Sequence, residues 1–156
     1  MNSDAAYLSR AIELATANVA DSGGPVGAVI VTADGRAVDG VNRVTASNDP
    51  TAHAEVTAIR NACAALETFD LSGAVLYTSC EPCPMCLASA LWARIDRVVY
   101  AADRHDAAAA GFDDAVFYEY FETPVEERSM PVNQLPGDTR TAPFDAWNAA
   151  EARVEY

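Results

Sequence analysis

A chain of 156 residues is one domain by length and long enough to bury a core without disulfide staples. Half of it is apolar, yet no run approaches the ~18 apolar residues of a spanning helix, and the opening MNSDAAYLSR lacks a basic-then-apolar leader, so a soluble, cytoplasmic protein is expected. The formal net charge is -13 and all ten basic residues are arginines, a balance that disfavours nucleic acid as a partner, although the same halophile-like acidic surface without lysine also fits adaptation to high salt.

In chain order, residues 4–20 carry Leu8, Ile12, Ala15 and Val19 at helical spacing, with Ser3 or Asp4 able to cap the start. After the breaker Ser22-Gly23-Gly24-Pro25, VGAVIVT and RAVDGV flank Ala33-Asp34-Gly35, a hairpin pattern. The turn Asn48-Asp49-Pro50-Thr51 precedes a second helix, AHAEVTAIRNACAAL, which begins near His53 and shows Val56, Ile59, Cys63 and Leu66 on one face. AVLYTS reads as a strand, CPMCLASALWAR as a third helix with Pro82 in its first turn, and RVVYAA as a strand parallel to the previous one. The alanine run 107–110 favours helix, and AGFDDAVFYEYF is aromatic without a clean period. Pro124, Pro131, Pro136 and Pro143 break up the chain beyond it until DAWNAAEARVEY turns helical again. The expected fold class is α/β, a three-layer α/β/α sandwich with a mixed central sheet.

Cys83 and Cys86 stand three apart at the expected start of the third helix, so both sulfurs project from one turn, where the helix N-terminus favours thiolate. His53 opens the second helix in the same way. Two helices side by side, N-termini at one end, would bring imidazole and thiolates to three corners of a zinc tetrahedron and leave the fourth for water. Zinc with an open corner lowers the pKa of its water toward ~7, and Glu55, on the same opening turn as His53, is placed to take that proton and return it. His-x-Glu followed by Pro-Cys-x-x-Cys is the signature of zinc deaminases, here His53-Ala54-Glu55 and Pro82-Cys83-Pro84-Met85-Cys86. Either half alone is weak, but order, spacing and helix placement together are specific.

The competing arrangement adds Cys80 as a fourth ligand, closing the site and leaving a zinc-stabilised binding module without hydrolytic activity. Cys80 is expected at the end of its strand, short of the helix turn that aims the other two, and Glu55 would then have no task. Cys63 reads as a small buried apolar residue and His105 as a solvated side chain.

NDPTAHAEVTAIR, YTSCEPCPMC, AGFDD, PVEER and the terminal PF-x-AW with its final Tyr156 resemble the small bacterial guanine deaminases of the cytidine deaminase superfamily, almost end to end. The resemblance implies hydrolysis of guanine to xanthine and ammonia, a step of purine catabolism, with one Zn2+ per subunit. In it, zinc-bound hydroxide attacks C2, and Glu55 protonates the neighbouring ring nitrogen and then the leaving amine. It also implies that Asn42 hydrogen-bonds the purine, that the Ala54 backbone meets its edge, that Asp114 accepts from ring N–H groups, and that the Cys83 N–H polarises the reacting centre. The expected assembly is a homodimer of one deaminase domain, 1–156, whose segment 137–156 is swapped so that Trp92 and Tyr156 surround a neighbour's substrate. Plainer readings stand beside these. Asn42 could stabilise a strand end, Asp113 and Asp114 could be a solvated pair, Trp92 could be core, and Phe144, Trp147 and Val154 could pack in cis.

Val26 departs from the resemblance, because GGPVGA has valine where these enzymes usually carry a phenylalanine expected to wall the purine pocket. Other substrates with the same chemistry are therefore cytosine, guanosine, adenine or an amino-triazine. A tRNA adenosine deaminase shares the motif but should present a basic face, against the acids of PVEER and AEARVEY.

Overall fold

The structure, a computed structural model, describes residues 3–156, so the first two residues of the stretch read for a leader lie outside the described residues. The chain forms two compact units, up to Phe117 and from Tyr118 onward.

In the first unit, α1 (Ser3–Ala20) leads into the hairpin of β1 (Gly27–Val31) and β2 (Ala37–Val41). A single turn of helix, α2 (Val44–Ser47), then precedes α3 (Ala54–Leu66), β3 (Val75–Cys80), α4 (Pro84–Trp92), β4 (Arg97–Ala102) and α5 (Arg104–Ala109). The sheet order is β2-β1-β3-β4, with β1 antiparallel to β2 and β3, and β3 parallel to β4. A parallel pair needs a crossover, and α4 is that crossover. This is the expected mixed sheet of an α/β sandwich.

Strand alternation sorts the core into two layers. Ala28, Ile30 and Leu76 face α3 and α4 with Ala54, Ala58, Ala62 and Ala90, whereas Val29 and Tyr77 face α1 with Ala11, Tyr7 and Leu14. Burying a side chain the size of Ile30 or Leu76 contributes ~1.5–3 kcal/mol. The alanine line of α3 lets that helix settle close to the sheet, and Gly40 completes the fit, because a Cβ there would collide with the Ala54 and Ala58 backbone.

Several expectations shift. The buried stripe of α1 runs through Ala11 and Ala15, while Ile12 (44% exposed) and Val19 (52%) line an apolar cavity of about 540 Å³. Pro84, not Pro82, takes the first turn of α4. Cys63 is half-buried rather than buried. The aromatic stretch without a period forms α6 (Ala115–Glu122), inside which the boundary between the units falls. The final helix, α7 (Ala142–Ala149), starts before the DAW run and stops seven residues short of the terminus.

In the second unit, a 3-10 turn (Val125–Glu127) follows α6. The Arg128 guanidinium stacks 5.0 Å over the Tyr120 ring, and the Tyr120 hydroxyl donates to Met130 O at 2.9 Å. Among the described residues, both clusters of buried apolar side chains belong to the first unit.

Candidate active site

His53 and Cys83 are the N-cap residues of α3 and α4, each in extended backbone, and neither side chain caps its own helix. Both are thereby free to turn toward a common point. Cys86 lies one turn into α4 and is fully buried. The Cys83 Sγ–Cys86 Sγ and Cys83 Sγ–His53 Nδ1 distances are each 3.6 Å, and Cys86 Sγ–His53 Nδ1 is 3.5 Å. With Zn–S near ~2.3 Å and Zn–N near ~2.0–2.1 Å, tetrahedral angles put two sulfurs ~3.8 Å apart and sulfur and nitrogen ~3.5 Å apart. The triangle therefore fits zinc within a few tenths of an ångström, with three protein corners and a fourth left over. Cys80, at the end of β3, does not join this cluster.

The charges agree with a metal seat. A hydrogen bond from Cys86, helped by His53, draws the Cys83 thiol down to about 4, and the thiolate at Cys83 and burial hold the Cys86 thiol up. The hydrogen bond to Cys83 raises His53. Glu55 is 3% exposed and burial raises its carboxyl above the ordinary range, whereas a dication beside it acts in the opposite sense. Its Oε2 lies 3.5 Å from Cys86 Sγ, and its Oε1 accepts from the Thr78 hydroxyl at 3.1 Å. Thr78 is fully buried and shares the α3 face of β3 with Leu76. Burial raises the Cys80 thiol to about 11 and also raises Asp114.

A cavity of about 670 Å³ opens over His53, Glu55 and Cys83, walled by Val26, Asn42 and Asp114. Ala54, also named from the sequence, is fully buried at the first position of α3. Trp92 ends α4, the opposite end from Cys83, and is 65% exposed rather than core. Tyr156 belongs to the second unit. Sequence reasoning missed Phe112 and Phe117 in the cavity wall and Thr78 beneath Glu55. Phe112 stood inside the AGFDD motif and could have been found there, whereas Thr78 offered only the strand parity it shares with Cys80.

A two-thiolate, one-imidazole seat with a free corner and a buried carboxylate beside it is the apparatus of a zinc hydrolase acting on an amino-substituted ring. Residues 1–102 match the family model described as the cytidine and deoxycytidylate deaminase zinc-binding region, and the chain belongs to that family of zinc-dependent deaminases. Within it, the chain is 51% identical to guanine deaminase of Bacillus subtilis over 151 residues, 96% of this chain and 97% of that one. The X-ray structure of guanine deaminase from that organism superposes with a TM-score of 0.95, covering 100% of this chain and 99% of that chain. A guanine deaminase structure from Nitrosomonas europaea matches at 37% identity and a TM-score of 0.66 over 70% of this chain and 64% of that one. The tRNA-specific adenosine deaminase of Haemophilus influenzae is 38% identical over 71% of this chain and 68% of its own length. Among the described residues, no helix is long and apolar enough to cross a membrane.

Proposed function

We propose that the protein hydrolyses guanine to xanthine and ammonia, as a homodimer in which residues 137–156 of one subunit close the site of the other. The observation that carries this reading is the reach of the likeness to guanine deaminase. It spans 96% of the chain, through AGFDD, PVEER and the terminal segment, whereas the likeness to the Haemophilus influenzae tRNA deaminase spans 71%.

His53, Cys83 and Cys86 would hold one zinc per subunit, which supplies the Lewis acidity that makes a water nucleophilic near neutral pH. Glu55, buried beside that seat, takes one proton of the attacking water and passes it to the ring nitrogen next to C2, then takes the second from the new hydroxyl on C2 and passes it to the departing amine. The C2–O bond forms first, with the ring nitrogen protonated as its electron pair arrives, and the C2–N bond then breaks as the amine receives its proton and leaves as ammonia. Asn42 Oδ1 accepts from Val44 N at 3.2 Å, which leaves its amide nitrogen to donate to an acceptor on the purine. Asp114, on the cavity wall, accepts from ring N–H groups, and the Ala54 N–H, in the unpaired first turn of α3, meets the ring edge. Val26 walls the ring. The swap is supported by the absence of a buried apolar cluster in residues 118–156 among the described residues, and it brings Trp92 and Tyr156 to a partner's substrate.

Ammonia release from guanine, guanosine, adenine, cytosine and ammeline, at low and molar salt, tests the substrate. Guanine should be turned over fastest. A higher kcat/KM on any other of these bases, or on adenosine in tRNA, would overturn the assignment.

A further inference from the structure

Two of the segments that wall the substrate cavity lie 16 or more residues apart in the chain and meet beside β1 and β2. One is the loop Gly23-Gly24-Pro25-Val26, and the other is Asn42 just beyond β2. Both are tied to one side chain outside the cavity. Asn18, in the last turn of α1, donates from Nδ2 to Gly24 O at 2.9 Å and to Asn42 O at 2.9 Å. A side-chain amide nitrogen has two hydrogens, so both are spent, and the reversed amide would set its oxygen against two carbonyls. The orientation of Asn18 is therefore dictated by its surroundings.

The contacts around this point interlock. Gly23 N donates to Asn18 O at 2.8 Å, and Asn42 N donates to Val26 O at 3.2 Å. The glycines leave room for the carboxamides. A Cβ on Gly24 would stand 2.7 Å from the Asn42 Cγ, and a Cβ on Gly23 would overlap the Asn18 amide. Ser22, which starts the loop, already holds a left-handed φ of 64°. Because α1 is packed along the sheet, Asn18 ties the Gly23-Gly24 part of the loop to the core, alongside the packing of Val26 against it.

We infer that Asn18 is a positioning residue of the substrate pocket, a two-donor clamp that sets Asn42 and the Val26 wall at the spacing a planar base requires. The inference rests on Asn42 being a purine contact. Neither Asn18 hydrogen reaches the base, so the residue acts through Asn42 and the loop. An apolar or acidic side chain at this position would leave two carbonyl oxygens without donors, and an aspartate would repel them.

Steady-state kinetics on guanine, zinc content and Tm should be measured for Asn18→Ala, Asn18→Asp, Asn42→Ala and Asn18→Ala/Asn42→Ala. The expected result is a KM raised about tenfold in each Asn18 variant, with kcat within about twofold and zinc per subunit unchanged. In the Asn42→Ala background, Asn18→Ala should raise KM no further. If Asn18→Asp does not fold, Asn18→Ala carries the test. An unchanged KM in Asn18→Ala beside a raised KM in Asn42→Ala overturns the clamp alone. A lowered Tm with unchanged KM, or a KM rise fully additive with Asn42→Ala, overturns it as well. An unchanged KM in Asn42→Ala overturns the reading of Asn42 first, and the clamp with it.

Discussion

His53 and Cys83 hold the same station on two different helices, each the last extended residue before the first turn. N-cap side chains ordinarily bond back to their helix, and these two do not, which frees both for a metal. That arrangement was legible in the sequence because the information is local. Cys-x-x-Cys lies within one turn, and His-x-Glu within another. Thr78 and Asn18 were not legible, since Glu55 lies 23 residues from Thr78 and Asn42 lies 24 from Asn18, and only the folded sheet brings each pair together. Val26 is a residue whose effect can be isolated. It lies on the cavity wall and offers less area than an aromatic ring, which stacks with ~0.5–1.5 kcal/mol beyond its area burial. Val26→Phe should therefore lower the KM for guanine several-fold. Steady-state assays that return an equal or higher KM would show that this side chain does not wall the base.

Of the four α1 residues expected on one face, Ala15 is buried while Ile12 and Val19 are exposed. In α1 and α3 the deepest positions are alanines, Ala11, Ala15, Ala58 and Ala62, because close helix-to-sheet approach selects small side chains. A hydropathy reading instead picks the neighbouring Ile12 and Val19, which line the cavity beside the sheet. The strands and their directions were readable, since both faces of β1 and β3 are buried, β1 is apolar throughout and Val75-Leu76-Tyr77 opens β3. One tie between elements makes a pH prediction. Asp4 of α1 receives both Arg97 guanidinium nitrogens of β4 at 2.9 Å and the Tyr77 hydroxyl of β3 at 2.6 Å. The Arg97 hydrogen bonds, then that of Tyr77, hold its carboxyl at about 2 against 3.8. A depressed folded-state pKa means stability that is present above about 3.8 and lost as pH falls toward 2. Tyr77, raised to about 12 by burial and Asp4, contributes stability that is complete below 10 and lost between 10 and 12. Thermal unfolding followed by circular dichroism between pH 4 and 2 should thus show a steeper loss of Tm for wild type than for Asp4→Asn. Parallel curves would mean that the tie contributes nothing.

At the scale of the molecule, the first unit holds the zinc seat, Glu55 and the described cavity, while residues 118–156 carry apolar side chains without a buried cluster of their own among the described residues. In the proposed dimer those side chains would have a second copy to bury against. Deleting residues 137–156 should abolish most guanine turnover while leaving zinc bound to the first unit, and a truncated protein with wild-type kcat/KM would remove the swap. The net charge of -13 disfavours a nucleic-acid substrate by the same physics that made the sequence informative about partners, although charge says nothing of which small ring is bound. Conversion of guanine to xanthine, followed by absorbance, should be compared between wild type and Glu55→Gln loaded with the same amount of zinc. The predicted result is turnover by wild type and a loss of at least ~10²-fold in kcat for the variant, whose amide cannot carry the proton. Equal rates at equal zinc would contradict the assignment of proton transfer to Glu55.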